Sequence, residues 1–433
     1  MKMITPDINP TFFYGPIVSY RFMGDVSKDK GRYRIRFTLF FKSGDKYTTQ
    51  KSGYKTEAEA RRAKEVLISE LEKGEYIPFS YTVKEFFDYW LYYHMIEENG
   101  IRYNSFQTSR NILYNYLLPG FGADTKLEAL THSIIEDTIK GIRYPSVKDQ
   151  SIKLIRQLFA YAQSSRFLSI NPSVLALRNL SKDVPKPKKR EVELYTVAEI
   201  RNMLFTCKQC FPEMYMPLLL AVTTGIRISE TIAIKYSDID FTTLTLYISR
   251  QLGRDIRVEG DHGITTRELE VKTDNSIRCI PLAKWVADEI AVKRAWYEHQ
   301  KKWVPSFKDL DYICCKCDGT PYNRKSFISP FHALTRMCGL KEIHWHDLRH
   351  MYASVLEHNE INMKAVSEYL GHSSPDFTKE VYVTKAEPIY DCTILTEIWE
   401  FVKPVSMKAE QDTLGVPFTE EDYKVFFCDK KSR

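Results

Sequence analysis

The chain has 433 residues and a mass of 50.7 kDa, which at about 100–200 residues per domain indicates roughly three domains. Apolar residues make up 43% and charged residues 27%, so the composition is that of a globular protein and excludes a disordered, collagen-like or disulfide-scaffold chain. A net charge of +6 is mild, and it allows a nucleic-acid partner without establishing one.

The sequence has no membrane-spanning or secretory pattern. No apolar run reaches the roughly 18 residues that cross a bilayer, and the N-terminus MKMITPDINP has no apolar signal core. We therefore expect a cytoplasmic protein without a membrane partner. The nine cysteines are scattered and odd in number, which favours reduced thiols. Cys207 and Cys210 form a CxxC pair on a helical pattern, so buried or half-buried thiols are favoured over a zinc site, and no metal site is predicted.

The first predicted strand carries alternating apolar and basic residues. Residues 32–42 read RYRIRFTLFFK, in which Arg32, Arg34 and Arg36 point to one face and apolar side chains to the other. Ser43–Asp45 form a turn, and residues 46–51 return as a second strand. A basic two-stranded ribbon can enter a DNA major groove, although a solvated sheet face explains these arginines equally well.

A capping box at Thr56 and Glu59 begins a helix that runs to about Lys73, so residues 1–77 are predicted to form a small sheet plus one helix. Residues 78–180 carry helical periodicity, interrupted at Gly120, Gly122 and Pro145 and closed by Asn171-Pro172. One apolar face of the first of these helices is made of Val83, Phe86, Phe87, Trp90 and Leu91.

A basic, proline-containing linker is predicted over residues 181–193, SKDVPKPKKREVE. Its cations could follow a phosphate backbone, but a soluble connector explains them nearly as well. They are Lys186, Lys188, Lys189 and Arg190. Residues 194–400 then read as two helices, strands at 239–248 and 269–282, and helices again from about Ser326. Residues 401–433 are a polar tail. The predicted fold is thus multidomain α+β, with an N-terminal sheet-plus-helix domain, an all-helical domain and a mainly helical domain with a small antiparallel sheet.

Three short polar segments stand out in the last large domain. TTGIRISE places Arg227 and Glu230 three residues apart, on one helical face. HWHDLRH places His346 and Arg349 at the same spacing, and a guanidinium fork there would suit a phosphate. LGHSS contains His372, ten residues before Tyr382. Each segment alone also fits an ordinary ion pair, a helix-end histidine or an unremarkable tyrosine.

Taken in order, these segments resemble the tyrosine recombinases, the phage integrase family. TTGIRISE resembles the first arginine box, HDLRH the His-x-x-Arg box, and LGHSS with Tyr382 the last histidine and nucleophile. Lys272, in EVKTDNSIRCIPL, resembles the lysine that the family carries at a hairpin tip. The resemblance to the catalytic domain covers about residues 194–395. The helical segment before it resembles the family's core-DNA-binding domain, and the N-terminal sheet and helix resemble the arm-binding domain of integrases from prophages and conjugative transposons.

The resemblance implies DNA strand cleavage and rejoining through a 3′-phosphotyrosine, without a metal, ATP or other cofactor. It implies that Tyr382 attacks the phosphodiester, that Lys272 protonates the leaving oxygen, and that Glu230 supports the site without reacting. The groups that would stabilise the transition state are Arg227, Arg349, His346 and His372.

The resemblance also implies partners. They are double-stranded DNA attachment sites, a homotetramer on DNA, and accessory proteins such as an excision or directionality factor and a DNA-bending protein. In the family a C-terminal segment often packs on a neighbouring subunit, and we expect residues 392–402 to do so. Three alternatives stay open: a chromosome-dimer resolvase, a non-catalytic DNA-binding regulator, and a type IB topoisomerase. The N-terminal basic domain favours an integrase of a mobile element over the resolvase, and the complete catalytic set argues against the regulator.

Overall fold

A computed structural model describes residues 6–183, 195–254, 266–271, 277–359, 361–371 and 392–404. The chain divides into two compact units, and the described residues up to 183 belong to the first and those from 195 onward to the second. The elements form the α+β fold that the sequence predicts. Within the described ranges, no helix combines the length and apolarity that a membrane crossing requires.

The first unit begins with a four-stranded antiparallel sheet made of β1 (Ile17–Phe22), β2 (Ser27–Asp29), β3 (Arg32–Phe41) and β4 (Lys46–Tyr54). β3 is central and pairs with all three other strands. Its apolar side chains alternate as predicted, and they pack against helix α1 (Glu57–Glu72) in a small core. The strands β1 and β2 were not predicted from the sequence. A register shift between Ile17 and Ser19 breaks the alternation of β1, and all three residues of β2 are exposed.

The rest of the first unit is helical. α2 (Val83–Tyr89) continues as a π-helix (Trp90–Glu98), and α3 (Tyr103–Ile112) continues as a π-helix (Leu113–Leu117) into α4 (Leu118–Phe121). α5 (His132–Gly141), α6 (Pro145–Ser164) and α7 (Ser173–Asp183) follow. The predicted apolar face of the first helix is buried throughout: Val83, Phe86, Phe87, Trp90 and Leu91.

The predicted break at Pro145 is confirmed, but the predicted end at Asn171-Pro172 is wrong. Pro145 follows the gap between α5 and α6 and occupies the first turn of α6, where a missing N–H costs nothing. Asn171 does not close the segment. Its side chain accepts hydrogen bonds from the backbone N–H of Ser173, at 2.9 Å, and from the Ser173 hydroxyl, at 2.7 Å, so it precedes a further helix, α7. That helix reaches into the first residues of the predicted linker.

The second unit opens with α8 (Val197–Cys210), α9 (Pro212–Thr224) and the single turn α10 (Ile228–Thr231). Five short strands follow: β5 (Ile239–Asp240), β6 (Thr245–Ile248), β7 (Arg250–Arg254), β8 (Thr266–Glu270) and β9 (Arg278–Pro281). The helices after them are α11 (Lys284–Trp303), α12 (Ile328–Met337), α13 (Asp347–His358), α14 (Met363–Leu370) and α15 (Cys392–Glu400).

The strands of the second unit differ from the prediction. Residues 239–248 are two paired strands, not one, and residues 269–282 contribute to two sheets, because β8 pairs with β7 whereas β9 pairs with β6. The long helix α11 was also missed. It exposes large apolar side chains, Val292 and Trp303 among them, so its sequence lacks a clear apolar stripe.

The last described helix, α15, packs on the core of its own chain. Trp399 is buried and stacks on Tyr352, with ring centroids 5.7 Å apart, and Leu395 is buried beside them. The Arg201 guanidinium donates to the carbonyl of Phe401 at 2.8 Å and 2.6 Å. In the single chain, this segment therefore packs on its own second unit, and its packing on a neighbouring subunit stays a prediction.

The thiols follow the interpretation favoured by the sequence. Cys207 is buried in α8 and Cys210 is half-buried, and burial raises the pKa of both. Cys314 and Cys315 are buried, whereas Cys317 is exposed. Across the described part of the chain, no group of three or more histidine, cysteine, aspartate or glutamate side chains is arranged to hold a metal ion.

Candidate active site

The site begins where α9 ends. Gly225 closes that helix with a φ of +63°, in the left-handed region that favours glycine. A Cβ at this position would lie 2.5 Å from the ring of Tyr352 and 2.9 Å from the side chain of Leu370. Because this turn has no side chain, residues of α13 and α14 can approach it closely. The turn also places Arg227 at the start of α10.

Glu230 binds two arginines in the interior. Its Oε1 accepts from Nη1 of Arg227 at 2.8 Å, and its Oε2 accepts from the backbone N–H of Arg227 at 3.1 Å and from Nη2 of Arg278 at 2.8 Å. Glu230 is 3% exposed, so this is not the surface ion pair that the spacing alone allowed. Burial raises the pKa of Glu230, but Arg278 and Arg227 outweigh burial and hold that pKa below its usual value.

Arg349 lies in the first turn of α13 and is only 4% exposed. Its Nη1 donates to the carbonyl of Gly225 at 3.0 Å, and its Nη2 donates to the carbonyl of Leu370. Burial lowers the pKa of Arg349 to about 9, and the nearby charges of Arg227 and Arg278 act in the same direction. The guanidinium of Arg349 remains cationic at neutral pH, but it is largely removed from water and lies near two other cations, Arg227 and Arg278.

The end of α14 is held by three arginines acting together. Arg278 Nε donates to the carbonyl of Tyr369 at 2.5 Å, Arg349 to that of Leu370, and Arg227 Nη2 to that of Gly371 at 3.4 Å. The last carbonyls of a helix find no N–H donor within the helix, and they carry partial negative charge. Three consecutive carbonyls are thus satisfied by cations, immediately before position 372 in the chain.

His346 lies at the N-cap position of α13 and is exposed, with its ring centroid 5.5 Å from that of His350. Partial loss of water lowers the pKa of His346, and the charges of His350, Arg349 and Arg227 lower it further. The imidazole is therefore neutral at pH 7, and it can both donate and accept a hydrogen bond. Asp347 fixes the entry to the helix by accepting from the backbone N–H of His344 at 2.7 Å.

Of the predicted site residues, the structure brings together Arg227, Glu230, His346 and Arg349. The other predicted residues of this site and of the linker lie outside the described residues: Lys272, His372, Tyr382, Lys186, Lys188, Lys189 and Arg190. Arg278 was not predicted as a site residue from the sequence. The signal was available, because Arg278 shares a strand face with Ile280, which is fully buried, and an arginine on a core-facing position needs a buried partner.

The predicted basic face of the N-terminal sheet is present on β3. Arg36 is exposed, Arg34 pairs with Asp29 at 2.7 Å, and Arg32 donates to the carbonyl of Gly53 at 2.9 Å. Arg21 on β1 lies opposite Thr38, so it belongs to the same face, which the missed strand had concealed. Two of the three predicted arginines are thus partly engaged within the sheet, and Arg36 and Arg21 extend the basic surface.

Comparison with known proteins covers both units. The sequence profile of the phage integrase family matches residues 193–388. The tyrosine recombinase XerC-like protein of Caldanaerobacter subterraneus subsp. tengcongensis is 24% identical over 369 residues, which are 82% of this chain and 93% of that protein. The integrase of Staphylococcus phage L54a is 23% identical over 331 residues, 71% of this chain and 89% of that protein.

Solved structures share the fold. The Tn1549 transposon integrase in complex with transposon right end DNA superposes with a TM-score of 0.54 at 18% identity, and the match covers 78% of this chain and all (100%) of that chain. The similarity therefore extends beyond the part of the chain that carries the three polar segments.

Proposed function

This chain belongs to the phage integrase family of tyrosine recombinases, and we propose that it is the site-specific recombinase of a mobile genetic element. The observation that carries the proposal is the cluster of three guanidiniums, two of them nearly fully buried, beside the buried carboxylate of Glu230. Such a site has more positive than negative charge and little water, so it favours an anion. A phosphodiester passing through a transition state with charge on its non-bridging oxygens is such an anion.

In the proposed reaction, the phenol oxygen of Tyr382 forms a bond to the scissile phosphorus, and the bond from phosphorus to the 5′ oxygen breaks. The phenol proton leaves to a neutral imidazole or water, and Lys272 gives a proton to the departing 5′ oxygen. Arg227 and Arg349 bind the non-bridging oxygens, and His346 and His372 add donors. Preorganised donors of this kind contribute on the order of 3–4 kcal/mol each in other enzymes. Rejoining reverses these steps, so no nucleotide cofactor is consumed.

Separate segments of the chain would bind DNA and carry out catalysis. Residues 1–77 bind arm-type DNA through the basic sheet face, residues 78–180 bind core DNA, and residues 181–193 connect them to the catalytic residues 194–400. Residues 401–433 form the tail. The protein would act in the cytoplasm, as a homotetramer on double-stranded attachment sites, with excision and DNA-bending proteins as accessory partners.

An integrase is favoured over a chromosome-dimer resolvase by the four-stranded basic sheet that precedes the helical part of the first unit. The relatives include both a XerC-like recombinase and a phage integrase, so their names alone do not separate the two functions. The Tn1549 integrase bound to transposon end DNA has the same fold over most of this chain, which supports the mobile-element function.

Replacing Tyr382 with Phe tests the proposal. We expect Tyr382→Phe to abolish the covalent protein–DNA adduct, because the nucleophilic oxygen is gone, and to leave non-covalent DNA binding intact. Adduct formation would be measured on denaturing gels with DNA that carries the attachment site, and binding by mobility shift. Tyr390→Phe is the matched control and should form the adduct as the natural chain does. A persistent adduct in Tyr382→Phe would overturn the assignment of the nucleophile.

A further inference from the structure

Arg278 is a buried arginine to which the reaction described above assigns no role. It lies on β9, opposite Ile248 of β6, and it is 8% exposed. A guanidinium at this depth is costly unless its donors are satisfied. A strand that only completed a small sheet would carry an aliphatic residue here, as it does two positions later at Ile280.

The contacts of Arg278 join separate parts of the site. Its Nη2 donates to Glu230, the carboxylate that also binds the side chain and the backbone of Arg227. Its Nε donates to the carbonyl of Tyr369, in the last turn of α14. These two acceptors lie 48 and 91 residues away in sequence. One side chain thus links the start of α10, the end of α14 and the strand that follows residues 272–276.

We propose that Arg278 is a positioning residue that holds Arg227, through Glu230, in the orientation that receives the scissile phosphate. The inference rests on the proposed function. Arg278 does not touch the phosphate; it fixes the second oxygen of the carboxylate that fixes Arg227, and it ties that carboxylate to α14. Without Arg278, Glu230 keeps only Arg227 of these two partners, and the side chains of Glu230 and Arg227 can rotate together.

An arginine is required because two acceptors must be met from one side chain. Nε and Nη2 sit on one edge of a planar fork, and here they serve Tyr369 and Glu230 respectively. A lysine offers a point charge that can follow Glu230 but cannot hold both acceptors in a fixed relative position. Arg278→Lys therefore keeps the charge of the site while it removes the geometric link.

The test measures single-turnover cleavage by the full chain on two substrates that differ at the scissile phosphate. One carries an ordinary phosphodiester, and the other a methylphosphonate, which lacks one negatively charged oxygen and so needs less help from Arg227. We expect Arg278→Lys to slow cleavage of the phosphodiester by about 100-fold, the loss expected when a catalytic group is misplaced by about 1 Å. The loss of cleavage rate on the methylphosphonate should be at least about tenfold smaller, because this substrate lacks one of the charged oxygens that a misplaced Arg227 would fail to stabilise.

Arg250→Lys is the matched control. Arg250 also lies on a short strand of the second unit and also pairs with a buried carboxylate, that of Asp238, but its ion pairs are with Asp238 and Glu268 and not with Glu230. It should lower cleavage of both substrates equally or not at all. If Arg278→Lys likewise slows both substrates equally, Arg278 is merely structural and the inference is wrong.

A second variant covers the case in which Arg278→Lys does not fold. Glu230→Gln cuts the same link from the other side and should show the same dependence on substrate. In the double variant, the losses should be less than additive, because both changes break one connection. Additive losses would contradict the inference.

Absence of cleavage by the natural chain on the phosphodiester would instead overturn the proposed function, so failure of the inference and failure of the proposed function are distinguishable.

Discussion

At the scale of single residues, the site is built from charges that are buried before any ligand arrives. Arg349 and Arg278 are each less than one-tenth exposed, and both donate to main-chain carbonyls near the end of α14. The sequence could indicate Arg227, His346 and Arg349, because their spacing resembles a known family. It could not show that three guanidiniums converge on residues 369–371, because those contacts join positions 21 to 144 residues apart.

The glycine that ends α9 gives a prediction at this scale. Gly225→Ala should destabilise the second unit by about 3 kcal/mol, because a left-handed alanine costs about 1 kcal/mol or more and the new methyl group overlaps Tyr352. It should also reduce DNA cleavage, since the Gly225 carbonyl accepts from Arg349. Urea unfolding of the second unit would measure the first effect and adduct formation the second.

The control for this change is Gly339→Ala. Gly339 has nearly the same φ, +65°, but a Cβ there would meet nothing within 4 Å. Its substitution should therefore cost only the backbone strain, about 1 kcal/mol, and leave cleavage unchanged. Equal destabilisation by the two alanines would show that the close approach of Tyr352 is not what fixes Gly225.

At the scale of elements, predictions succeeded where periodicity was strong and failed where it was interrupted. β3, β4 and α1 were predicted because a ten-residue alternation and a capping threonine mark them. The short strands β1 and β2 lack such alternation, α7 begins at an Asn-Pro pair that resembled a stop, and α11 exposes apolar residues. Register, sheet partners and the burial of Arg278 depend on contacts between distant segments, and the local pattern does not contain them.

The N-terminal 3-10 turn (Pro10–Phe13) joins the sheet to the helices of the first unit. Phe12 is 4% exposed and stacks on Tyr81 and Tyr89 of the helical core, with ring centroids 3.9 Å and 4.4 Å away. From the other direction, Phe79 packs against both the helical core and the core of the sheet. Aromatic contacts of Phe79, and of Phe12 just before the first strand, thus hold the sheet to the helical core, and the sheet is more than a tethered module.

Phe12→Ala should therefore destabilise the first unit by about 3–5 kcal/mol, the usual cost of truncating a buried phenylalanine. Phe13→Ala is the matched control. Phe13 is adjacent in sequence but 42% exposed, so its loss should cost about 1 kcal/mol. Denaturant unfolding followed by hydrogen exchange in the sheet and the helices would measure both. If the two variants are equally stable, the stacked contacts of Phe12 do not hold the sheet to the helices.

At the scale of the whole molecule, two compact units carry two separate groups of positive charge that suit DNA phosphates. The first unit presents the basic sheet face, and the second contains the arginine cluster, within the residues that match the phage integrase family. The overall charge of +6 is too small to have predicted this, because the positive groups are concentrated locally and many acidic residues lie elsewhere. Affinity for DNA should accordingly depend on salt through phosphate contacts.

The most direct measurement is to trap the protein on genomic DNA of its source with denaturant, and to sequence the DNA that remains covalently attached. We predict adducts at one discrete sequence, with the attached peptide containing Tyr382 as phosphotyrosine. DNA that is retained only without a covalent bond would contradict the proposed function and indicate a non-catalytic DNA-binding regulator. Adducts scattered over many sequences would contradict site specificity and favour a topoisomerase.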